Sequence, residues 1–383
     1  MTTTINNEHK KLNVPNLRFP EFQGEWEKCK LGDYGKVVTG NTPPTKDIEN
    51  YENGTYLWAS PADLGTIKSI TETKTMLSAQ GFSKTRTLPK GSVLVTCIGS
   101  TIGKAGMATK EMSTNQQINS IVVNDNNDNE FVYYAIQSAF PRYLSSIAVQ
   151  AVPIISKSAF ELLPNNRPYL QEQKKIGNFL SLLDERIAAQ NKIIDKLQSL
   201  IKGISNRIFT SIQGIEYRMG DIVTITNGNS NVQDAVTQSK DGLYPFFDRS
   251  EDIKYLPTFL FDKEAIIYPG EGTEFMPRYF KGKFALHQRC YAIFDFNEII
   301  NARFLYFYLK TRNSYFVKNA VGSTVPSLRL DTFQKLKVII PPKEIQHSVS
   351  LCLSSMELKC NVEKKILHKL LKQKQYLLRQ MFI

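Results

Sequence analysis

Two long stretches of the chain place apolar residues at alternating steps of four and three, the heptad pattern of a helix that packs on another helix. Each stretch follows a proline, as the start of a helix should. The pattern predicts two helices, over 169–209 and 343–383, each about 39 residues and about 58 Å long. The predicted helix–helix seam consists of Ile176, Leu180, Leu183, Ile187, Gln190, Ile194, Leu197 and Ile201 in the first helix and Val349, Leu353, Met356, Cys360, Glu363, Leu367, Leu370 and Leu377 in the second.

Gln190 and Glu363 are polar side chains that occupy the same slot near the middle of each helix. We predict that they lie close together and help to fix the register of the pair. The alternative is that both face solvent at a loose point of the seam. Lys374 also occupies a seam slot and weakens the apolar pattern of the second helix.

The two helices belong to an internal repeat. Residues 152–209 align with residues 325–382 at a constant offset of 173 without a gap, so that Gln173 matches Gln346 and Phe209 matches Phe382. Residues 30–33 and 218–221 also resemble each other, at an offset of 188. The segments between these anchors differ almost completely. The chain is therefore a duplication in which the frame is retained and the middle of each half is not.

The repeat predicts the architecture. A compact domain usually has its termini close together, so the second helix should start where the first ends and run back antiparallel to it. We predict an α+β protein with a pseudo-two-fold internal repeat, in which domains at 1–168 and 210–342 are separated by spacer helices at 169–209 and 343–383. Within the domains we expect strands at Ser92–Ile98, Asn119–Val123, Glu264–Tyr268 and Cys290–Phe294. We expect short helices at Phe131–Ser138 and Phe304–Lys310.

The net charge of +12 favours a polyanionic partner. Residues 170–209 and 343–383 carry +3 and +5 of it, which fits either phosphate contacts or solvated lysine-rich helix faces. The five cysteines form no pair at metal-ligand or redox spacing, and no stretch reaches the roughly 18 apolar residues of a membrane span. These features predict a cytoplasmic chain without a metal site and without a membrane.

Motifs for catalysis are incomplete. Gly99–Lys104 resembles a phosphate loop, but three residues separate its glycines where four are needed, and Ala105 replaces the Ser or Thr. Tyr268–Gly272 only faintly resembles a glycine turn for S-adenosylmethionine, and no Asn-Pro-Pro-aromatic tetrapeptide accompanies it. Asn41–Pro44 has the wrong spacing for that tetrapeptide. The chain is predicted to be no enzyme and to hold no cofactor of its own.

Loops in both halves carry the side chains that read base edges and phosphates: Arg, Lys, Asn, Gln, Ser and Thr. An Asn or Thr beside Gly is also a common turn former, so the alternative for each is a structural role. Gly40 and Gly228 are predicted to be turn glycines. The DNA-binding candidates are Thr39, Asn41, Thr42, Lys74, Ser100, Thr101, Lys104, Asn115, Gln116, Gln117, Asn227, Asn229, Ser230, Arg249, Arg278, His287, Gln288, Arg289, Ser323 and Arg329.

Several strings resemble the specificity subunits of type I restriction-modification systems. They are Val14–Pro20, Gly24–Trp26, Leu31–Asp33, Gly40–Pro43, and the duplicated element Val152–Ser156 with Phe160, Pro168, Gln173 and Ile176. Each string is only moderately specific, whereas the duplicated arrangement is highly specific. The resemblance extends over essentially the full chain.

The resemblance implies a non-catalytic subunit with two target recognition domains, each of which reads one half of a split site in double-stranded DNA. It implies that the spacer helices set the gap between the half-sites, roughly one turn of B-DNA centre to centre, and dock two methyltransferase subunits. S-adenosylmethionine, ATP and Mg would then belong to the methyltransferase and the restriction (translocase) subunits. Two alternatives stay open: a stand-alone methyltransferase or nuclease, and a coiled-coil adaptor with two protein-binding heads.

Overall fold

The computed structural model describes residues 12–65, 67–146 and 153–383. Val152, the first residue of the duplicated element, lies outside these ranges. The chain divides into two compact units, one of Met1–Gln190 with Ile366–Ile383 and one of Asn191–Lys365. Both long helices therefore contribute to both units.

The first unit contains a five-stranded sheet, a three-stranded sheet and a two-stranded pair. The strand orders are β2-β9-β6-β7-β4, β5-β3-β8 and β1-β10. The strands are β1 (Glu27–Lys30), β2 (Gly35–Thr39), β3 (Tyr56–Ala59), β4 (Ser69–Ile70), β5 (Thr75–Leu77), β6 (Val93–Thr96), β7 (Ala105–Ala108), β8 (Ser113–Thr114), β9 (Ile118–Val123) and β10 (Pro164–Arg167).

The helices of the first unit are α1 (Ala79–Ser83), α2 (Asn129–Ser146), α3 (Lys157–Glu161), the first part of α4 (Leu170–Ser211) and the last part of α8 (Lys343–Gln380). Helix α2 packs on β6 and β7 of the five-stranded sheet, α3 packs on β2, and α1 packs on β5 of the three-stranded sheet. The core joins the apolar face of α2, around Phe131 and Tyr134, to β6 and to the long helices. The strands predicted at Ser92–Ile98 and Asn119–Val123 are confirmed as β6 and β9. The helix predicted at Phe131–Ser138 is confirmed, and it extends from Asn129 to Ser146. Asp128 caps its start, since the Asp128 carboxylate accepts from the Phe131 N–H at 2.9 Å.

The second unit contains a six-stranded sheet of order β12-β17-β15-β16-β13-β14 and a pair β11-β18. The strands predicted at Glu264–Tyr268 and Cys290–Phe294 are confirmed as β15 and β17. The strands are β11 (Ile215–Arg218), β12 (Thr224–Asn227), β13 (Tyr244–Phe247), β14 (Lys254–Leu256), β15 (Phe261–Pro269), β16 (Arg278–Leu286), β17 (Cys290–Phe294) and β18 (Lys337–Ile340).

The helices of the second unit are the last part of α4, α5 (Ala302–Lys310), α6 (Asn313–Asn319), α7 (Leu330–Gln334) and the first part of α8 (Lys343–Gln380). Helix α5 confirms the helix predicted at Phe304–Lys310. Asn301 caps it, and its aromatic residues Phe304 and Phe307 are buried in the core. The α+β class and the internal repeat are confirmed, since each unit has a mixed sheet, a capped helix on it and a two-stranded pair beside a long helix.

The repeat extends to individual hydrogen bonds. The Gln173 side chain accepts from the Asp128 N–H at 3.0 Å and donates to the Pro168 carbonyl at 2.9 Å. In the second unit, Gln346 accepts from the Asn301 N–H at 2.7 Å and donates to the Pro341 carbonyl at 2.9 Å. Both glutamines are 1% exposed. A buried amide therefore fixes the start of each long helix to the cap of the domain helix beside it.

In the first unit the two long helices run antiparallel. Arg18 pairs with Glu172 near the start of α4, and the adjacent Leu17 N–H donates to the carbonyl of Gln380 at the end of α8. Further along, Lys374 lies 2.6 Å from Asp184, and both side chains are less than 20% exposed. Lys374 thus interrupts the apolar seam but gains a half-buried ion pair.

The predicted seam positions are all buried or half-buried. Gln190 is 8% exposed, and the side chain of Glu363 is 16% exposed and lies 3.5 Å from Lys359, so neither projects freely into solvent. Their proximity to each other stays a prediction. The domain limits at 168, 209 and 342 also stay predictions, because the compact units divide within the helices.

Candidate nucleic-acid interface

The candidates of the first domain gather at one end of the five-stranded sheet. Strands β2 and β6 end there, and β7 and β9 begin there. Residues 39–42, 100–104 and 115–117 occupy the loops at these strand ends. Lys74 is held by Asp63, which lies just beyond the end of β3. The Asp63 carboxylate accepts from the Lys74 N–H at 2.8 Å.

Several of these side chains have structural roles. The Asn41 amide donates to the Lys84 carbonyl and accepts from the Arg86 N–H, both at 2.9 Å. Thr39 donates to Asn119 at 2.7 Å, and Thr42 donates to Gln116. Asn115 is 8% exposed, and its side chain bonds both the amide and the backbone of Gln117.

The candidate side chains at this end differ in their exposure. Lys74, Ser100, Lys104 and Gln116 are exposed, and Thr101 and Gln117 are half-exposed. Whether any of them contacts DNA stays a prediction.

Arg86 belongs to this surface, and the sequence reasoning missed it. It is exposed, and its guanidinium donates to the Thr39 carbonyl at 2.8 Å. The side chain of Asn41 accepts from the backbone N–H of Arg86 and so fixes the position of this residue. The signal was available as the Lys84-Thr-Arg86 string after α1, but nothing in the sequence brings residue 86 to residue 41.

The candidates of the second domain gather around the turn 287–289 between β16 and β17. The Gln288 N–H donates to the Ser230 carbonyl at 3.2 Å, and its own carbonyl accepts from Asn227 at 3.3 Å. The His287 N–H donates to the Phe247 carbonyl at 2.9 Å, which brings Arg249 to the same place. Asn229, Gln288 and Arg289 are exposed.

Arg278, Ser323 and Arg329 come from other segments of the second unit. Arg278 donates to the Asp248 carbonyl, and its guanidinium lies over the Phe247 ring. Burial lowers the pKa of that guanidinium. Whether Arg278 also contacts DNA stays a prediction. Arg329 is exposed and follows Leu328, whose N–H donates to the Gly270 carbonyl at 2.8 Å. Ser323 is exposed on the loop closed by the pairing of Val321 with Ser327.

A cavity of about 310 Å³ opens beside the 287–289 turn, lined by Val232, Asp248, Arg249, Glu271 and residues 287–290. Burial lowers the pKa of His287. Its Nδ1 accepts the Arg289 N–H at 3.2 Å, so the imidazole is neutral with its proton on Nε2. For Asp248, burial opposes ionisation, yet the hydrogen bonds from Lys254 and Ser250 together hold the pKa below its usual value.

Gly40 and Gly228 are glycines for a reason other than the predicted one. Neither has a positive φ. Instead, a Cβ on Gly40 would lie 2.2 Å from the Thr114 carbonyl oxygen, and one on Gly228 would lie 2.0 Å from the Leu286 carbonyl oxygen. Close backbone approach at the strand ends, rather than turn conformation, requires glycine at both positions.

The buried thiols of Cys97 and Cys290 should make the folded protein less stable at alkaline pH. Burial raises the pKa of Cys97 from its usual 9.0 to about 12 and that of Cys290 to about 11. The unfolded chain releases these protons first, so the contribution is complete below pH 9.0 and is lost between there and the folded pKa. We expect the melting temperature of Cys97→Ala to fall less steeply above pH 9 than that of the wild type. Exposed Cys352→Ala is the control, and parallel profiles for all three proteins would contradict the assignment.

The described part of the chain contains no group of three His, Cys, Asp or Glu side chains that could hold a metal ion. Within the same residues, none of the helices has the length and apolar character needed to cross a membrane.

The chain has two related α+β domains, and each collects polar and basic loops at one place on its sheet. This arrangement is typical of a protein that reads DNA through paired domains. Residues 23–199 and 215–372 match the family model of the type I restriction modification DNA specificity domain. The chain belongs to this family and carries two copies of the domain. The resemblance to specificity subunits is confirmed.

Individual relatives agree with the family. The chain is 26% identical over 368 residues to the type I restriction enzyme MjaIX specificity subunit of Methanocaldococcus jannaschii, with 84% of each chain covered. It is 28% identical over 186 residues to the HindI specificity subunit of Haemophilus influenzae, which covers 46% of this chain and 40% of that one. The crystal structure of a type I S subunit from M. genitalium has the same fold, with a TM-score of 0.67 at 19% identity over 97% of this chain and 99% of that one.

Proposed function

We propose that this chain is the non-catalytic, DNA-reading subunit of a type I restriction-modification complex in the cytoplasm. Each domain reads one half of a two-part site in double-stranded DNA. The observation that carries the proposal is the repeated geometry: two domains, each anchored to a long helix by a buried glutamine, each with its polar loops collected at one place.

The helices have the role of a spacer in this proposal. They set the separation of the half-sites, roughly one turn of B-DNA, and dock two methyltransferase subunits. S-adenosylmethionine, ATP and Mg are held by the methyltransferase and restriction subunits and not by this chain. Family membership supports assembly with such subunits.

The test is a map of adenine methylation in a host that expresses the chain with a methyltransferase subunit that it binds. Single-molecule sequencing should find one two-part motif with an unread gap, absent when the chain is omitted. A stable complex without any motif that depends on the chain would favour the adaptor alternative. Binding of S-adenosylmethionine by the isolated chain would favour a stand-alone methyltransferase.

Changes in one domain should alter one half of the motif. We expect Arg86→Ala with Gln116→Ala to relax or abolish the half read by the first domain and to leave the other half unchanged. Both side chains are exposed where the loops at residues 39–42, 100–104 and 115–117 gather. Lys90→Ala is the matched control, since Lys90 is exposed just before β6, at the opposite end of that strand. Loss of specificity in both halves would argue against independent reading by the two domains.

A further inference from the structure

Arg289 and Glu271 form an ion pair at the mouth of the cavity beside β17. The side chain of Arg289 is 62% exposed, whereas that of Glu271 is 15% exposed. One carboxylate oxygen of Glu271 accepts from Nη1 of Arg289. Among the described residues, Nε and Nη2 of Arg289 have no hydrogen-bond partner. A half-buried carboxylate therefore orients an exposed guanidinium and leaves the Nε–Nη2 edge of that guanidinium open.

Glu271 is itself held by the backbone. Residue 271 pairs with Ser327 across an isolated bridge, and the Gly272 N–H donates to the Pro326 carbonyl at 3.0 Å. The Arg289 N–H is also held, by Nδ1 of His287 at 3.2 Å. Both ends of the pair are therefore fixed, which lowers the entropy lost when the guanidinium meets a ligand.

The charge of the cavity decides between a phosphate and a base edge as that ligand. The lining carries Arg249 and Arg289 against Asp248 and Glu271, and the imidazole of His287 is neutral. A carboxylate in contact with Arg289 repels a phosphate but not a neutral base. The pair is thus suited to an uncharged edge with two acceptors, and O6 with N7 of guanine in the major groove is that edge.

We infer that Arg289, positioned by Glu271, reads a guanine in the half-site of the second domain. This inference rests on the proposed function and deepens it, because it names one base, one contacting residue and one positioning residue. The turn at 287–289 carries the contact, while Glu271 acts only through the orientation of the guanidinium.

The experiment maps the methylated motif for the complex of the full chain with Arg289→Ala, Arg289→Lys, Glu271→Ala or Glu271→Gln. The half read by the second domain is the one left unchanged by the first-domain variant above. We expect a G·C pair in that half, and Arg289→Ala should reduce discrimination at that position alone by about 5- to 150-fold. Arg289→Lys should lose part of the same discrimination, because an ammonium lacks the two-pronged fork although it can still donate to O6 or N7.

The Glu271 variants separate positioning from a general structural role. Glu271→Ala should relax the same single position, and Glu271→Gln should restore part of the discrimination, since an amide oxygen still accepts from Nη1. Lys335→Ala is the matched control, because Lys335 is an exposed cation paired with exposed Asp331 in the same unit and outside the loop cluster. If Arg289→Ala lowers the melting temperature more than Lys335→Ala does, the effect on base discrimination is judged from Arg289→Lys instead.

The outcomes distinguish failure of the Arg289 assignment from failure of the proposed function. A motif without guanine in the second half, or one that Arg289→Ala and Arg289→Lys leave unchanged, overturns the assignment of Arg289 and leaves the proposed function standing. Relaxation at several positions by Glu271→Ala with no rescue by Glu271→Gln overturns the positioning role. Absence of any motif for the wild-type chain overturns the proposed function itself.

Discussion

Gly228→Ala should destabilise the second unit by about 3 kcal/mol and abolish recognition of its half-site. The added Cβ would lie 2.0 Å from the carbonyl oxygen and 2.3 Å from the carbonyl carbon of Leu286, and 2.6 Å from the carbonyl oxygen of His287. These atoms are backbone and cannot rotate away. The chain must shift where it enters the 287–289 turn, so the effect reaches Arg289 as well as the melting temperature.

Gly203→Ala is the matched control in the same unit. Gly203 lies within α4, and a Cβ there would meet no atom within 4 Å beyond the adjacent backbone of its own helix. Because alanine is the better helix former by about 1 kcal/mol, this variant should melt slightly higher than the wild type and keep its motif. A Gly228→Ala protein with the wild-type melting temperature and motif would show that the strand ends can separate at no cost.

Arg18→Ala should destabilise the first unit by about 3–5 kcal/mol. The Glu172 carboxylate is 1% exposed, and the Arg18 guanidinium donates to both of its oxygens, at 2.8 and 2.7 Å. The Trp26 indole N–H adds a weaker contact at 3.3 Å. Without Arg18, a charge would stay buried at the start of α4 with little compensation. Chemical denaturation of the variant measures this cost.

Two further variants show whether the cost comes from the buried charge. Adding Glu172→Gln to Arg18→Ala should recover part of the stability, because it removes the uncompensated carboxylate. Lys175→Ala should cost far less than Arg18→Ala, since Lys175 and its partner Glu21 are both nearly half-exposed and solvent screens the pair. Equal losses for Arg18→Ala and Lys175→Ala would mean that Glu172 is solvated in the variant.

The frame of the protein was predictable from the sequence. Helix periodicity is a local property, so the heptad slots located both long helices, and strand-forming runs located β6, β9, β15 and β17. The offset of 173 paired Gln173 with Gln346 before any contact was known. The structure gives that pairing its meaning, since both amides make the same two backbone hydrogen bonds at the start of a long helix.

Most of the candidate interface was not predictable in this way. The sequence determined the two domains, their α+β class and the polar composition of their loops, because these depend on patterns within short windows. Only the tertiary structure decided which side chains the loops leave exposed. The Asn41 side chain forms hydrogen bonds with the backbone of residues 84 and 86. Glu271 orients the guanidinium of Arg289, which lies 18 positions away in the sequence. An asparagine that closes a turn and one that reads a base have the same neighbours in sequence, and only contacts between distant segments separate them.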